Sequence, residues 1–198
     1  MTPMGTRPIR GGALALTLAL TLALASAAAS AQPSQPAATA GGDAKRGEYL
    51  VKSVGCGDCH TPMKMGASGP EPDAARLLSG HPSGMPLPPP PAASGPWIAS
   101  VAATMTAWAG PWGVSYTANL TPDPETGLGR WTEQQFVETL RTGRHLGRGR
   151  EILPPMPWPA LRNMTDQDLK AVYAYLRTIP AISNKVPDPA PPAGPPQH

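Results

Sequence analysis

The sequence predicts a mainly α-helical domain with a long proline-rich loop and a short β-hairpin inserted into it. Three segments, near residues 44–53, 132–143 and 165–180, carry apolar residues at helical spacing. Glycine and proline account for 21 and 28 of the 198 residues. This composition favours a small domain with long loops, and it argues against a large sandwich, a doubly wound nucleotide-binding fold or a coiled coil.

The N-terminal residues have the pattern of an export signal. Arg7 and Arg10 are the only charged residues before an apolar run at 13–25, and Ala-Ser-Ala at 29–31 is a small-residue cleavage site. We therefore predict a signal peptide over 1–31 and a periplasmic location. Contact with a membrane is expected only if the leader stays uncleaved, because the apolar run is marginal for a span.

The charge balance after cleavage gives little support to a nucleic-acid partner. Removing the leader leaves 14 basic and 13 acidic residues, whereas nucleic-acid binding needs a strong basic patch. Residues 32–42 are rich in proline, alanine and glycine and read as a flexible linker. Residues 187–198 contain six prolines and are predicted to form a disordered tail. The folded domain is expected over 43–186.

The predicted helices have recognisable starts. Asp43 can cap the first, over 44–53, and Thr132 with Gln135 forms a capping box for the middle one. Thr165, three residues before Asp168, starts the last. We expect the first and last helices to cross, with Gly47 allowing a close approach of the two backbones.

The region between the first two helices lacks helical periodicity. Residues 61–95 are proline-rich, with four consecutive prolines at 88–91, and predict a long loop. Residues 97–117 alternate weakly between apolar and polar side chains, which predicts short strands and a hairpin turning near 110–111.

Both cysteines lie in the sequence Cys56-Gly-Asp-Cys59-His60. C-x-x-C-H is the attachment signature of c-type haem, in which both thiols bond the porphyrin and the adjacent imidazole ligates the iron. A disulfide, a redox dithiol and a zinc site are the alternatives. Zinc needs further paired ligands and a thioredoxin-like site needs a βαβ pattern, and the sequence has neither. We predict one covalent haem c, held by Cys56 and Cys59, with His60 as the proximal iron ligand.

Met156 is predicted to be the distal iron ligand. It lies between prolines in Leu-Pro-Pro-Met-Pro-Trp-Pro at 153–159, which restrict the backbone around the thioether, and it precedes the final helix. His81 is the main alternative, although a surface histidine is the simpler interpretation there. His145 lies in a basic run over 141–150 that reads as a solvated face. The remaining candidates are Met63, Met65, Met85, Met105 and Met164.

The chain resembles class I c-type cytochromes in the order of its predicted helices, in the motif Cys56–His60 and in the position of Met156. The resemblance implies a helical fold around one haem, single-electron transfer, and the ligand roles given above. The segment 119–129, Asn-Leu-Thr-Pro-Asp-Pro-Glu-Thr-Gly-Leu-Gly, is similar to the cytochrome subunits that accept electrons from bacterial periplasmic alcohol, aldehyde and sugar-acid dehydrogenases.

The expected function is electron transfer rather than catalysis. The iron would cycle between Fe(II) and Fe(III), with a dehydrogenase as donor and a partner on the terminal oxidase side as acceptor. The basic run at 141–150 is a possible rim for an acidic redox partner. Two alternatives remain: a haem enzyme or a gas or peroxide sensor with an open sixth coordination position, and a haem domain that only tethers a complex through its proline-rich tail.

Overall fold

The part of the chain that the structure describes contains five α-helices and five short strands. A computed structural model describes residues 40–91 and 96–192. The helices are α1 (Ala40–Ser53), α2 (Cys56–His60), α3 (Glu133–Thr142), α4 (Trp158–Leu161) and α5 (Asp166–Leu176). The strands are β1 (Met63–Gly66), β2 (Gly69–Pro72), β3 (Ser100–Val101), β4 (Ala107–Gly110) and β5 (Gly113–Tyr116). The predicted leader at 1–31 lies outside the described residues. No helix within the described ranges is long and apolar enough to cross a bilayer.

The first and last helices pack closely, as the sequence predicted. A Cβ at Gly47 of α1 would lie 1.9 Å from the carbonyl oxygen of Ala171 in α5, so only glycine fits at this contact. The start of α1 differs from the prediction. The helix begins at Ala40, and Asp43 lies in its first turn rather than at the cap, where a carboxylate interacts favourably with the helix dipole.

The predicted starts of α3 and α5 are confirmed. The backbone N–H of Gln135 donates to the Thr132 hydroxyl over 3.1 Å, and the Thr132 N–H donates to the Gln135 side chain over 2.9 Å, which completes a capping box. Gly143 ends α3 in the left-handed region, with φ of 68°. At α5 the Thr165 hydroxyl accepts the N–H of Asp168 over 3.1 Å.

Two small antiparallel sheets accompany the helices. The predicted hairpin near 110–111 is confirmed, because β4 and β5 pair with Gly110 opposite Gly113, and β3 adds to the other side of β4. The region 61–95 differs from the predicted loop, since β1 and β2 form a second hairpin within it. The prolines of β2 are tolerated there because each strand of a two-stranded sheet has a free edge. The mainly α description therefore holds for the core, the predicted hairpin is present, and the sheet of β1 and β2 is an addition to the prediction.

The core is formed chiefly by α1, α3 and α5. Its buried residues are Leu50, Val51, Leu78, Leu128, Phe136, Leu140, Leu169, Ala171, Val172, Leu176 and Ile179. Leu78 and Leu128 come from the long connections rather than from helices. Cys56 and Met156 are partly buried and pack against this cluster, so the core places two of the predicted site residues at its boundary.

The start of the predicted disordered tail is ordered in the structure. The N–H of Val114 in β5 donates to the carbonyl of Ala190 over 2.9 Å, and the N–H of Ala190 donates back over 3.0 Å. This pairing satisfies backbone groups that β5 would otherwise leave open at the sheet edge. Residues 187–192 therefore belong to the ordered domain, in contrast to the predicted boundary at 186. The last six residues lie outside the described ranges.

Candidate functional site

A cavity of about 630 Å³ lies beside the core, and its walls are largely apolar. Binding cavities for cofactors and small ligands span roughly 300–1,000 Å³, so this one can hold a sizeable group. Cys56, Cys59, His60 and Met156 all lie on its walls. The structure thus brings together the four residues that the sequence singled out, although Met156 is nearly a hundred positions away from the others in the chain.

The two cysteines are presented by a short helix. Gly55 precedes α2 in the left-handed conformation, with φ of 77°, and the spacing of three places Cys56 and Cys59 on one helix face. Both are free thiols in the structure. Burial raises the pKa of Cys56 to about 11 and also raises the pKa of Cys59. Both sulfurs therefore carry protons at neutral pH.

His60 is held in a single orientation and tautomer. Its side chain is buried, and Nδ1 lies 2.8 Å from the carbonyl oxygen of Ala118. Because a carbonyl only accepts, Nδ1 carries the proton and Nε2 keeps its lone pair. Burial lowers the pKa of His60, and the hydrogen bond to Ala118 opposes this. A neutral imidazole with a fixed Nδ1–H is the form in which histidine ligates a metal.

The Ala118 carbonyl is positioned by residues of the proline-rich region 61–95. The N–H of Gly80 donates to the carbonyl of His60 over 2.8 Å, and the N–H of His81 donates to Thr117 over 3.0 Å. Gly80 has a φ of 76°, and a Cβ there would lie 2.4 Å from the Thr117 oxygen and 2.7 Å from the Ala118 oxygen. Glycine at position 80 therefore permits the hydrogen bond that orients His60. Sequence reasoning missed this role.

Met156 reaches the cavity from the proline-flanked loop before α4. It is partly buried, and its N–H donates to the Leu153 carbonyl over 3.3 Å. Met164 also lies on the cavity wall, so two thioethers border the same space. The other candidates are not among the lining residues; these are Met63, Met65, Met85 and Met105.

His81 is part of the packed interior and does not line the cavity. It is completely buried, so its interpretation as a surface residue is wrong. Nδ1 lies 2.9 Å from the Thr106 hydroxyl, and Nε2–H donates to the Met85 carbonyl over 3.1 Å. The Tyr116 ring packs on it with centroids 5.0 Å apart. Both ring nitrogens are thus engaged, which argues against the alternative that His81 ligates iron.

The predicted basic face over 141–150 is partly neutralised and partly turned to the cavity. Arg141 pairs with Asp166, and Arg144 pairs with Glu151 over 2.8 Å. His145 packs edge-on against Trp131 and, together with Arg150, borders the cavity. Burial and the charge of Arg150 lower the pKa of His145. The run is therefore less basic than its composition indicates.

One residue of the cavity wall carries a buried donor that lacks a partner among the described residues. The buried indole N–H of Trp108 has no acceptor among the described residues, and Trp108 lines the cavity. Buried donors are rarely left without partners. Lys185 and Arg150 add positive charge to the lining, and Asp58, Glu125 and Asp188 add negative charge. Two thiols, a neutral imidazole, thioethers and apolar walls with a few cationic and N–H donors fit haem c, which is apolar apart from its iron and its carboxylates.

Comparison with known proteins agrees with this chemistry. The family model of cytochrome c matches residues 44–180. The chain is 32% identical over 148 residues to the cytochrome c subunit of the quinone alcohol dehydrogenase of Gluconobacter oxydans, covering 73% of this chain and 23% of that protein.

Further relatives carry related names. Identity is 31% over 131 residues to the gluconate 2-dehydrogenase cytochrome c subunit of Pantoea cypripedii, covering 66% of this chain and 22% of that protein. It is 29% over 149 residues to the fructose dehydrogenase cytochrome subunit of Gluconobacter japonicus, covering 74% of this chain and 24% of that protein. The match thus spans less than a quarter of the length of these three relatives.

Proposed function

The chain belongs to the cytochrome c family, and from this premise we propose that it is a periplasmic protein with one haem c that transfers single electrons. The observation that carries the proposal is the meeting of the Cys56–His60 motif and Met156 on the walls of one cavity. When bound, haem c supplies a one-electron Fe(II)/Fe(III) couple. It would attach through thioethers to Cys56 and Cys59, one haem per chain because the sequence has one motif.

The protein's own side chains hold both axial positions in this proposal. Nε2 of His60 is the proximal ligand, and its direction is fixed by the bond from Nδ1–H to the Ala118 carbonyl. Sδ of Met156 is the distal ligand, supplied by a loop whose prolines leave it little conformational freedom to lose. A histidine and a methionine raise the potential and leave no position for substrate, which suits a carrier rather than an enzyme.

The apolar wall limits the change in solvation when the charge of the site changes. Leu128, Leu169 and Val172 are buried and border the cavity. Excluding water disfavours the more highly charged ferric state and so supports a raised potential.

We infer the donor class from the names of the relatives. Several of them are cytochrome subunits of dehydrogenases, which supports a dehydrogenase as donor, with a respiratory partner on the oxidase side as acceptor. Rim charges such as Arg150 would act mainly on the rate of docking.

The first test compares absorption spectra of the matured wild type with those of two variants, Met156→Ala and Met164→Ala. The wild type is expected to show a covalent haem, one per chain by the pyridine haemochrome assay, and the weak far-red band of methionine-ligated ferric haem. That band should disappear in Met156→Ala and persist in Met164→Ala, which serves as the matched control because both residues border the cavity.

Other outcomes would overturn parts of the proposal. Loss of the band in Met164→Ala alone assigns the distal position to that residue instead. A wild type without the band, whose reduced form binds carbon monoxide readily, has an open sixth position and belongs with the haem enzymes or sensors.

A further inference from the structure

A segment beyond the family match forms part of the cavity wall. The match ends at residue 180, yet residues 185–189 all line the cavity. We call residues 185–190 the C-terminal strap. Val186 and Pro189 are partly buried, while Lys185, Pro187 and Asp188 are exposed. The strap therefore sets the partly buried Val186 and Pro189 against the cavity, and its charged residues Lys185 and Asp188 lie where the cavity wall meets solvent.

The strap is fixed at its upstream end by Asn184, which is 2% exposed. The Asn184 side-chain amide donates to the carbonyls of Ser79 over 2.7 Å and His81 over 2.9 Å. Its side-chain oxygen accepts the N–H of Ser83 over 2.9 Å, and its own N–H donates to the Thr126 hydroxyl over 2.9 Å. Four hydrogen bonds at one buried residue leave the strap little freedom where it begins.

The downstream end is fixed by pairing with β5. Ala190 and Val114 exchange both backbone hydrogen bonds, over 2.9 and 3.0 Å. A Cβ at Gly113 would lie 2.1 Å from the Ala190 oxygen, so glycine permits this approach. Ser115, which lies two residues after Gly113 in β5, donates to the carbonyl of Pro154 over 2.6 Å. The strap is thus connected through β5 to the loop that carries Met156.

We propose that the C-terminal strap is a component of the haem-binding site that closes one side of the crevice against water and small ions. This inference rests on the proposed function, since it presupposes haem in the cavity. A strap held at both ends keeps the cofactor edge from solvent, slows outer-sphere reaction with small anions and raises the midpoint potential. Docking with a redox partner would then involve the strap's outer face.

The test compares a chain that ends after Asn184 with one that ends after Pro192, both purified with haem. The probe is ferricyanide, a small anion that oxidises the reduced protein, followed by stopped flow at several ionic strengths because Lys185 and Asp188 leave with the strap. Without the strap, the rate extrapolated to high salt should rise, because that side of the crevice is open in every molecule, and the midpoint potential should fall. The chain that ends after Pro192 should have the same rate of oxidation and the same midpoint potential as the full chain.

A point substitution keeps the test decisive if the shortened chain does not accumulate. Ala190→Pro removes the N–H that donates to Val114, whereas Ala190→Ser keeps both backbone bonds. Loss of one hydrogen bond should raise the population of molecules with an open strap about fivefold. The proline variant is therefore expected to react about fivefold faster with ferricyanide, while the serine variant keeps the wild-type rate.

The outcomes separate the two proposals. Equal rates and potentials with and without the strap, in proteins that hold haem and keep the far-red band, overturn the role of the strap alone. A wild type that takes up no covalent haem overturns the proposed function, and the strap proposal with it.

Discussion

Single residues far from the haem-attachment motif decide how His60 is presented. The imidazole is oriented by a backbone carbonyl at Ala118, and that carbonyl lies where it does because Gly80 has no side chain. A hydrogen bond to Nδ1–H makes a histidine ligand more basic, which stabilises the oxidised metal. A glycine in the proline-rich insertion is therefore linked to the redox properties of the site.

Gly80→Ala is predicted to disturb this hydrogen bond. The added methyl group would meet Thr117 and Ala118 backbone atoms at 2.4–2.7 Å, at a φ of 76°. We expect a loss of about 1–3 kcal/mol in the free energy of unfolding. We also expect a higher midpoint potential, since His60 becomes a weaker donor. Protein film voltammetry and urea titration measure the two effects.

Gly84→Ala is the matched control for this change. It lies in the same connection, and a Cβ there would meet nothing within 4 Å. An unchanged potential in Gly80→Ala, with the protein folded and haem-loaded, would contradict the link between Gly80 and His60.

At the scale of elements, the contact between α1 and α5 sets the frame of the site. α1 leads directly into the Cys56–His60 helix, and the loop carrying Met156 is followed by α4 and α5. Holding α1 against α5 therefore ties together the two stretches of chain that supply the haem ligands. The contact also buries Leu50, Leu169 and Val172, and such burial stabilises the fold by about 1.5–3 kcal/mol per large side chain.

Gly47→Ala is predicted to weaken this helix pair. In an isolated helix, alanine in place of glycine stabilises by about 1 kcal/mol. Here the methyl group would lie 1.9 Å from the Ala171 carbonyl, so the helices must separate, and we expect a net loss of about 2 kcal/mol or more. Lys45→Ala, at an exposed position of the same helix, should change stability by less than about 0.5 kcal/mol. Urea unfolding of the haem-loaded proteins measures the free energy of unfolding of both variants. A Gly47→Ala variant more stable than the wild type would contradict the close contact between α1 and α5.

At the scale of the whole molecule, two buried asparagines join segments that are distant in sequence. Asn119 donates through its side chain to the Thr126 hydroxyl over 3.1 Å and to the Ile182 carbonyl over 2.8 Å. Asn184 joins the same region to the insertion at residues 79–83. The 119–129 segment, the insertion and the chain after α5 are therefore held together by buried amides rather than by an apolar core.

Asn184→Ala is predicted to loosen all three segments together. It removes three side-chain hydrogen bonds and leaves the carbonyls of Ser79 and His81 without that donor. We expect a loss of about 2–4 kcal/mol in the free energy of unfolding. We also expect faster amide exchange in residues 79–83 and 182–190, measured by hydrogen–deuterium exchange with mass spectrometry.

Asn163→Ala provides the comparison for that prediction, because Asn163 is exposed and its side chain makes one hydrogen bond, to the Pro159 carbonyl. It should cost less than about 1 kcal/mol. Similar losses for both variants would show that Asn184 is not a structural junction.

Local patterns in the amino-acid sequence were enough to predict the attachment motif and most of the helix starts. The spacing of Cys56, Cys59 and His60 specifies chemistry within five residues, and caps such as Thr132 and Thr165 define helix starts because their hydrogen bonds reach only three residues along the chain. The hairpin near 110–111 was likewise local.

The way in which distant segments meet at the site depends on long-range packing. Nothing in the sequence shows that Ala118 faces His60, that His81 is buried, or that the C-terminal strap lines the cavity. These features depend on contacts between residues far apart in the chain, 58 positions for His60 and Ala118 and 25 positions for His81 and Thr106. Proline content indicated disorder for residues 187–192 because it reports intrinsic preference, whereas pairing with β5 satisfies the backbone of Ala190. The flanking prolines indicate Met156 as the distal ligand, but they do not show that Met164 lines the same cavity. Local preference thus determined the elements and the attachment motif, and long-range packing and backbone hydrogen bonding determined the walls of the site.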